Sequence, residues 1–161
     1  MTTGQKELPA GWKWVKLGDV CEFVNGKTFR TTDWSTTGYP IIRIQNLNNP
    51  NADFNYWNGS LEKQVIVHPQ DLLLAWSGTP GTSFGAHIWN GNEGVLNQHI
   101  FRVGVDEDYI QKQFALMVIN FHLDILIDAA HGTAGLQHVT KKKVQNLPIP
   151  LPPLEEQKRI T

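Results

Sequence analysis

The sequence contains very little cysteine. Among its 161 residues there is one, Cys21, so an internal disulfide is excluded. The paired Cys and His spacings of a structural zinc site are also missing. No long apolar run is present, because polar side chains interrupt the most apolar stretch, around residues 114 to 127. We therefore expect a cytoplasmic protein with neither a signal peptide nor a membrane span.

An excess of either charge is missing as well. The 15 acidic and 14 basic residues leave a net charge of -1, and the pI is near 6.6. Such a chain has no overall field that would draw it to nucleic acid or to anionic lipid. Any nucleic-acid site must therefore be a local patch. The chain has 161 residues, of which 40% are hydrophobic, so it is long enough and apolar enough to form a single domain with its own core.

The motifs of common enzymes are absent. The glycine-rich stretch at Gly78, Gly81 and Gly85 lacks the Gly-Lys-Ser/Thr ending of a P-loop and the spacing of a dinucleotide fingerprint. No Gly-x-Ser-x-Gly elbow is present. The Asp/Asn-Pro-Pro-aromatic motif of adenine methyltransferases is also missing, and the nearest string, residues 151–154 (LPPL), has neither the amide nor the ring. We therefore expect no catalytic residues, no metal site and no cofactor in this chain.

What the sequence does contain is glycine, proline and tryptophan, at 14, 9 and 6 residues. This composition is typical of short strands joined by ordered loops, and it predicts an α+β fold with a twisted, mostly antiparallel sheet. Residues 12–17 are predicted to be extended. Leu17, Val20, Phe23 and Val24 then follow a helical spacing that stops at residues 25–26.

Residues 39–44 are predicted to form a strand. Ile42 and Ile44 would share one face, and Ile41, Arg43 and Gln45 the other, which would give the polar side chains a rigid base.

Two pairs of strands are predicted next. Residues 65–67 and 72–74 flank the turn sequence His-Pro-Gln-Asp and are predicted to form a hairpin. Residues 86–89 and 95–105 are predicted strands around a turn at 90–94.

The period changes to three and four residues after Asp108, which predicts one long amphipathic helix. Its start is placed at the acidic residues 106–108 and its end at His131-Gly132. Thr140 is predicted to cap a basic turn at 141–143, and residues 147–151 are predicted to be extended. Pro152 and Pro153, followed by two acids, predict the start of a helix that looks cut off at Thr161.

The candidate DNA contacts are side chains that can pair with base edges or phosphates. All but Arg30, which follows the 26–28 segment, lie at the end of the 39–44 strand, in two glycine-containing loops and in the lysine run. The candidates are Arg30, Arg43, Gln45, Asn46, Ser77, Thr79, Thr82, Ser83, Thr133, Gln137, His138, Lys141, Lys142 and Lys143. Solvated surface loops and a solvated cationic face are the structural alternatives. The tryptophans are expected to be structural.

Several short motifs, taken in order, resemble the target recognition domain of the DNA specificity subunit of type I restriction-modification enzymes. They are residues 8–12 (LPAGW), 15–20 (VKLGDV), 26–28 (GKT), 39–46 (YPIIRIQN), 71–74 (DLLL) with 77–78 (SG), 132–139, and 147–160 (LPIPLPPLEEQKRI). The resemblance implies a target recognition domain at residues 1–151 and the start of a truncated spacer helix at residues 152–161. It does not assign base-reading residues, because recognition domains vary where they touch DNA.

The resemblance also implies partners. It implies that a full specificity subunit contains two recognition domains held apart by antiparallel helices. Each domain would read one half of a split double-stranded DNA target. A second domain, or a second copy, would join through the spacer helices. Methyltransferase and restriction subunits would dock around the pair and would hold S-adenosylmethionine, ATP and Mg²⁺.

Two other functions remain open at this stage. Asn97-Gln98-His99 together with His87 resembles, weakly, a hairpin of a metal-dependent nuclease. A protein-docking module that touches DNA only incidentally is the third possibility.

Overall fold

The computed structural model describes residues 7–49, 52–77, 84–123, 125 and 140–161. Its strands are β1 (Lys13–Lys16), β2 (Cys21–Asn25), β3 (Tyr39–Ile42), β4 (Asn55–Trp57), β5 (Ile66–Val67), β6 (Leu72–Ala75), β7 (Gly85–Ile88), β8 (Gly94–Leu96), β9 (Ile100–Val105) and β10 (Pro148–Leu151). Its α-helices are α1 (Leu17–Val20), α2 (Ile44–Asn48), α3 (Lys112–Phe121), α4 (Lys141–Gln145) and α5 (Leu154–Ile160), and a 3-10 turn spans Thr31–Asp33. The α+β class with mostly antiparallel pairing is confirmed.

The central sheet is antiparallel and has the strand order β2-β9-β6-β7. Successive side chains of a strand point to opposite faces, so β6 contributes to two cores. Leu72 and Leu74 pack with the helices on one face, while Leu73 packs with the second sheet on the other. The domain therefore has a layer of helices, the central sheet and a second sheet.

In the helical layer, α3 buries Phe114, Ala115, Val118 and Ile119 against the central sheet. Its predicted start at residues 106–108 is wrong. Those acids lie in a turn in which the Asp106 carbonyl accepts the N–H of Ile110 at 2.9 Å, and the helix begins only at Lys112. The predicted end at His131-Gly132 lies outside the described residues. Within the described part, no helix is both long and apolar enough to cross a bilayer.

The second sheet has the strand order β4-β3-β8-β5, with β3 and β8 parallel. The predicted strand over 39–44 ends at Ile42, because Arg43 is the N-cap of α2. The face assignment predicted there is therefore wrong, and Ile41 and Ile42 are both fully buried.

The predicted 65–74 hairpin is also wrong. β5 pairs with β8, whereas β6 pairs with β7 and β9, so the 68–71 turn carries the chain from one sheet to the other. In the same way, β7 and β8 flank the 90–94 turn but belong to different sheets.

The helix predicted to run through residue 24 is only four residues long. After Val20 the burial alternates, with Cys21 and Phe23 buried and Glu22 exposed, which is the pattern of a strand. Residues 21–25 accordingly form β2.

The chain's two ends meet in the small antiparallel sheet of β1 and β10. Thr140 caps α4 as predicted, because its hydroxyl accepts the N–H of Lys143 at 3.3 Å. α5 begins directly after Pro153, as the Pro-Pro-Leu-Glu-Glu sequence predicts.

Candidate nucleic-acid interface

Loops from both sheets converge at one end of the domain. β2 and β6 end there, and β7 and β9 begin there. The second sheet joins them, because the Lys27 N–H donates to the Leu96 carbonyl at 2.9 Å and the Asn97 N–H to the Ile42 carbonyl at 3.0 Å. We define the loop end as residues 25–34, 43–45, 76–77 and 97–99. Its side chains therefore stand on the ends of paired strands.

Arg43 is held in place at the loop end from two sides. Its backbone N–H donates to Oδ1 of Asn46 at 3.0 Å, which fixes the first turn of α2. Its guanidinium lies 5.5 Å from the centre of the Trp34 ring, within the range of a cation–π contact. Trp34 is 40% exposed and Arg43 is half-buried, so this pair combines an aromatic ring and a cation at the surface of the loop end. Gln45 follows on α2 and is exposed.

Asn46 has a structural role. It is 4% exposed, and besides accepting from Arg43 its amide donates to the Asp53 carbonyl at 3.3 Å. Both ends of its amide are engaged inside the protein, so it does not reach a DNA base. We therefore drop Asn46 from the candidate contacts.

A second aromatic group lies between β6 and β9. The Trp76 and His99 rings are 4.8 Å apart, and the Trp76 indole N–H donates to Oδ1 of Asn25 at 3.2 Å. His99 has a φ of 74°, a left-handed conformation that costs a non-glycine residue energy, as does Gln70 with a φ of 76° in the turn before β6. The surrounding strands hold His99 in this conformation.

The loop after β2 is also ordered. The Thr28 hydroxyl donates to Oε1 of Gln98 at 2.6 Å, which ties this loop to the one before β9. The Arg30 N–H donates to Oδ2 of Asp33 at 2.7 Å, and Phe29 packs edge-on against Trp57. Arg30 is exposed on this anchored turn.

The loop end is positive in a chain that is nearly neutral. It contains the cations Lys27, Arg30 and Arg43 against one carboxylate, Asp33. Acidic residues gather at the opposite end of the central sheet instead, at Asp19, Glu22 and 106–108, since Cys21 pairs with Val105 there. Three cations against one carboxylate make the loop end a local positive patch, although the opposite end also carries exposed cations, Lys141, Lys142 and Lys143.

The lysine run does not belong to the loop end. Lys141, Lys142 and Lys143 are exposed on α4, which packs on α1: Gly18 lies directly against Gln145, and the Leu17 N–H donates to the Leu147 carbonyl at 2.8 Å. α1 precedes the first residue of β2, so the length of that strand, roughly 15 Å, separates the lysines from the loop end. The structure thus separates the lysine run from Arg43 and Gln45, although the sequence suggested all of them as DNA contacts.

Six further candidates, Thr79, Thr82, Ser83, Thr133, Gln137 and His138, lie outside the described residues. Ser77, which precedes three of them, is half-buried at the loop end. Phe84 is buried in the core between the central sheet and the helices. Ser77 follows β6 and Phe84 precedes β7, so these two residues on either side of the first glycine-rich loop lie at neighbouring strand ends.

Sequence reasoning missed the aromatic part of the site. Trp34 and Trp76 were expected to be structural, and His99 was considered only as a metal ligand. The sequence offers only a weak signal, the position of His99 directly after Asn97 and Gln98. The contacts of these aromatic residues depend on strand pairing between distant segments, which no local pattern reveals.

His87 and His99 do not form the metal site of the nuclease alternative. His87 pairs with Leu73, which faces the core between the two sheets, while the tilted ring of His99 contacts Trp76, which packs against the core between the central sheet and the helices. Their side chains thus leave opposite faces of the central sheet. Within the described ranges, no group of three or more His, Cys, Asp or Glu side chains is arranged to hold a metal ion.

The fold is that of known specificity subunits. A crystal structure of the HsdS subunit from Thermoanaerobacter tengcongensis superposes with a TM-score of 0.73 at 23% sequence identity, over 99% of this chain and 38% of that one. Its arrangement of sheets and helices is therefore the one found in this class of subunit.

The sequence matches extend this likeness. The chain is 29% identical over 159 residues to the type I restriction enzyme EcoBI specificity subunit of Escherichia coli, covering 98% of this chain and 32% of that protein. It is 30% identical over 155 residues to the MjaVIII specificity subunit of Methanocaldococcus jannaschii, covering 95% and 35%. The model of the type I restriction modification DNA specificity domain matches residues 9–161. The chain belongs to this family, and it spans about a third of the length of the curated relatives it matches.

Proposed function

We propose that this chain is a non-catalytic reader of double-stranded DNA sequence and that the loop end recognises one half of a bipartite target. The observation that carries the proposal is the loop end itself. Cationic, amide and aromatic side chains from four loops are held there by hydrogen bonds on the ends of paired strands. Membership in a family of DNA specificity domains supports the same function.

The side chains divide by chemistry into two groups. Arg43 and Gln45 carry the planar donor and acceptor groups that pair bidentately with guanine and adenine edges. Lys27 and Arg30 are exposed cations nearby that suit phosphate contacts, which position a protein without reading sequence. We assign base reading to the first pair and backbone contact to the second.

Catalysis, in this proposal, belongs to other subunits. A methyltransferase subunit with S-adenosylmethionine and a restriction subunit with ATP and Mg²⁺ would assemble around the specificity chain. The chain's relatives are named as specificity subunits of restriction enzymes, and a subunit acts together with others. Family membership therefore supports assembly with further subunits. We further propose that α5 begins the spacer helix leading to a second recognition domain or to a second copy.

Protein docking remains a second candidate role, because α3 presents an apolar outer face. Met117 and Phe121 on α3, and Ile125 beyond the end of this helix, recur at four-residue spacing and are 40%, 81% and 49% exposed. A methyltransferase subunit would cover them. Replacing Phe121 with Ser would then weaken capture of that subunit while leaving the base preference unchanged.

Selection of bound sequences from a random duplex pool, using the complex with the methyltransferase subunit, tests the proposed function. We expect one enriched half-site that depends on this chain. The double variant Arg43→Ala/Gln45→Ala should lose enrichment at specific positions. Lys63→Ala, an exposed cation between β4 and β5, is the matched control and should retain it. A pool with no enriched sequence for the unmodified chain would refute base reading.

A further inference from the structure

Gln157 is a polar residue buried inside the domain. It lies on α5 and has no exposed surface. Its Oε1 accepts the N–H of Gln111 at 2.8 Å, and its Nε2 donates to the carbonyls of Tyr109 at 2.8 Å and Pro152 at 2.9 Å. Both donors and one acceptor position of the amide are therefore satisfied by backbone groups, as a buried polar group requires.

The three partners come from two separate parts of the chain. Tyr109 and Gln111 flank the fully buried Ile110 directly before α3, and Pro152 follows β10. A second bond supports the same junction, since the Trp12 indole N–H donates to a carboxylate oxygen of Glu156 at 2.5 Å. One side-chain amide thus ties α5 to the amino end of α3.

α3 then connects this junction to the loop end. Its ten residues span about 15 Å along the central sheet. At its far end the Asn120 amide accepts the Ala86 N–H at 2.9 Å and donates to the Ala86 carbonyl at 3.1 Å, beside the start of β7. Side-chain amides therefore fasten both ends of α3, one to α5 and one to the strand that begins at the loop end.

We propose that Gln157 is a positioning residue: it fixes the direction of α5 relative to the loop end. This inference rests on the proposed function. If α5 leads to a second recognition domain or a second copy, its direction sets the distance between the half-sites that the two domains read. Gln157 touches no DNA in this arrangement. It acts through α5, and its loss changes the permitted spacing between half-sites without changing the bases read.

The direction of α5 is measured by distance between spin labels on the 161-residue chain. Labels at Arg159→Cys on α5 and Lys63→Cys in the second-sheet region report it, and Cys21 is buried and does not take up the label. With Gln157 unchanged, we expect a narrow distribution of distances between the two labels. Gln157→Ala should broaden this distribution. Gln113→Ala, which changes an exposed glutamine near the start of α3, should leave it unchanged.

Stability is measured in parallel, because a merely structural residue would lower the melting temperature and leave the distance narrow in the folded protein. If Gln157→Ala does not fold, Gln157→Met, which keeps the volume and removes the amide, takes its place. A narrow distance in the folded Gln157 variant overturns the proposal.

The functional arm uses the assembled complex and a duplex pool in which the gap between half-sites varies by single base pairs. Gln157→Ala removes three hydrogen bonds, so the selected share of targets with a gap one base pair longer or shorter should rise at least about fivefold, the factor that a single hydrogen bond of typical strength is worth. The bases selected within each half-site should stay the same. Unchanged gap selection refutes the positioning role, whereas a parent pool without any selected bases refutes the proposed function instead.

Discussion

Arg43 and Gln45 differ from their neighbour Asn46 in what their side chains contact, and single substitutions separate these roles. Replacing Arg43 or Gln45 with Ala should reduce discrimination at one base pair by roughly 1–3 kcal/mol, because a bidentate pair with that base is lost. Competition binding against duplexes changed one base pair at a time measures this. A loss spread evenly over all duplexes would reassign the residue to phosphate contact.

Asn46→Ala should show the opposite behaviour. The substitution removes the oxygen that accepts the Arg43 N–H and the amide that donates to the Asp53 carbonyl. We expect a loss of about 1–2 kcal/mol in the free energy of unfolding, typical of a lost cap and buried hydrogen bond. Urea denaturation gives that value. If stability is unchanged while one base preference is lost, Asn46 is a reader after all.

Cys21 gives a prediction that depends on pH. Burial raises the pKa of its thiol from the ordinary 9.0 to about 12, because desolvation disfavours the thiolate. The folded protein should therefore react very slowly with a thiol reagent at pH 8, and denaturant should release full reactivity. Rapid labelling of the folded chain would contradict this burial.

The same pKa shift has a defined sign for stability. The folded state holds the proton more tightly than the unfolded state, so Cys21 favours unfolding increasingly as the pH rises from about 9 towards 12. Cys21→Ala should lack this contribution to the decrease in the free energy of unfolding with pH. Denaturation of both proteins at several pH values between about 9 and 12 measures the difference.

At the scale of elements, the position of α4 predicts which cations contribute to the salt dependence of DNA binding. Replacing Lys27 or Arg30 with Gln should flatten the log-log dependence of binding on salt by about 0.9 for each lost phosphate contact. Replacing Lys141, Lys142 and Lys143 together should leave that slope unchanged, because α4 lies at the other end of the central sheet. Binding of the assembled complex is titrated at several salt concentrations. A slope that changes only with the lysine run would move the interface to α4.

Local patterns predicted those elements whose signals are themselves local. The cap at Thr140 and the Pro-Pro-Leu-Glu-Glu start of α5 depend on residues one to three positions apart, and both are confirmed. The β5–β6 hairpin failed because β5 pairs with β8, nearly thirty residues later in the chain. The 17–24 spacing was misleading because one turn of helix leads directly into a strand, so two short patterns merge into one apparent period.

The candidate site was predictable only in part for the same physical reason. Arg43 and Gln45 were found from their chemistry at a predicted strand end and Arg30 from its chemistry alone, and the structure places all three at the loop end. Trp34, Trp76 and His99 join them only through pairings between the two sheets. Gln157 escaped notice because nothing in its sequence neighbourhood distinguishes a buried amide from an exposed one on a charged helix.

For the whole molecule, the balance of charge limits how strongly the proposed interface can bind DNA without reading its sequence. The loop end carries three cations and one carboxylate, while the net charge of the chain is -1. On the proposed function, little counterion release is then available for non-specific binding, so we expect affinity in the assembled complex to come mainly from base contacts and from partner subunits.

Base reading by the loop end is tested most directly by fluorescence titration of the assembled complex. The probes are a labelled duplex with the selected target and a scrambled duplex of equal length, at one moderate salt concentration. We predict that the complex prefers the target by at least about a thousandfold, the lower range of specific recognition, and that Arg43→Ala/Gln45→Ala removes most of this preference while Lys63→Ala keeps it. Equal affinity for both duplexes, or full preference in the double variant, would contradict it.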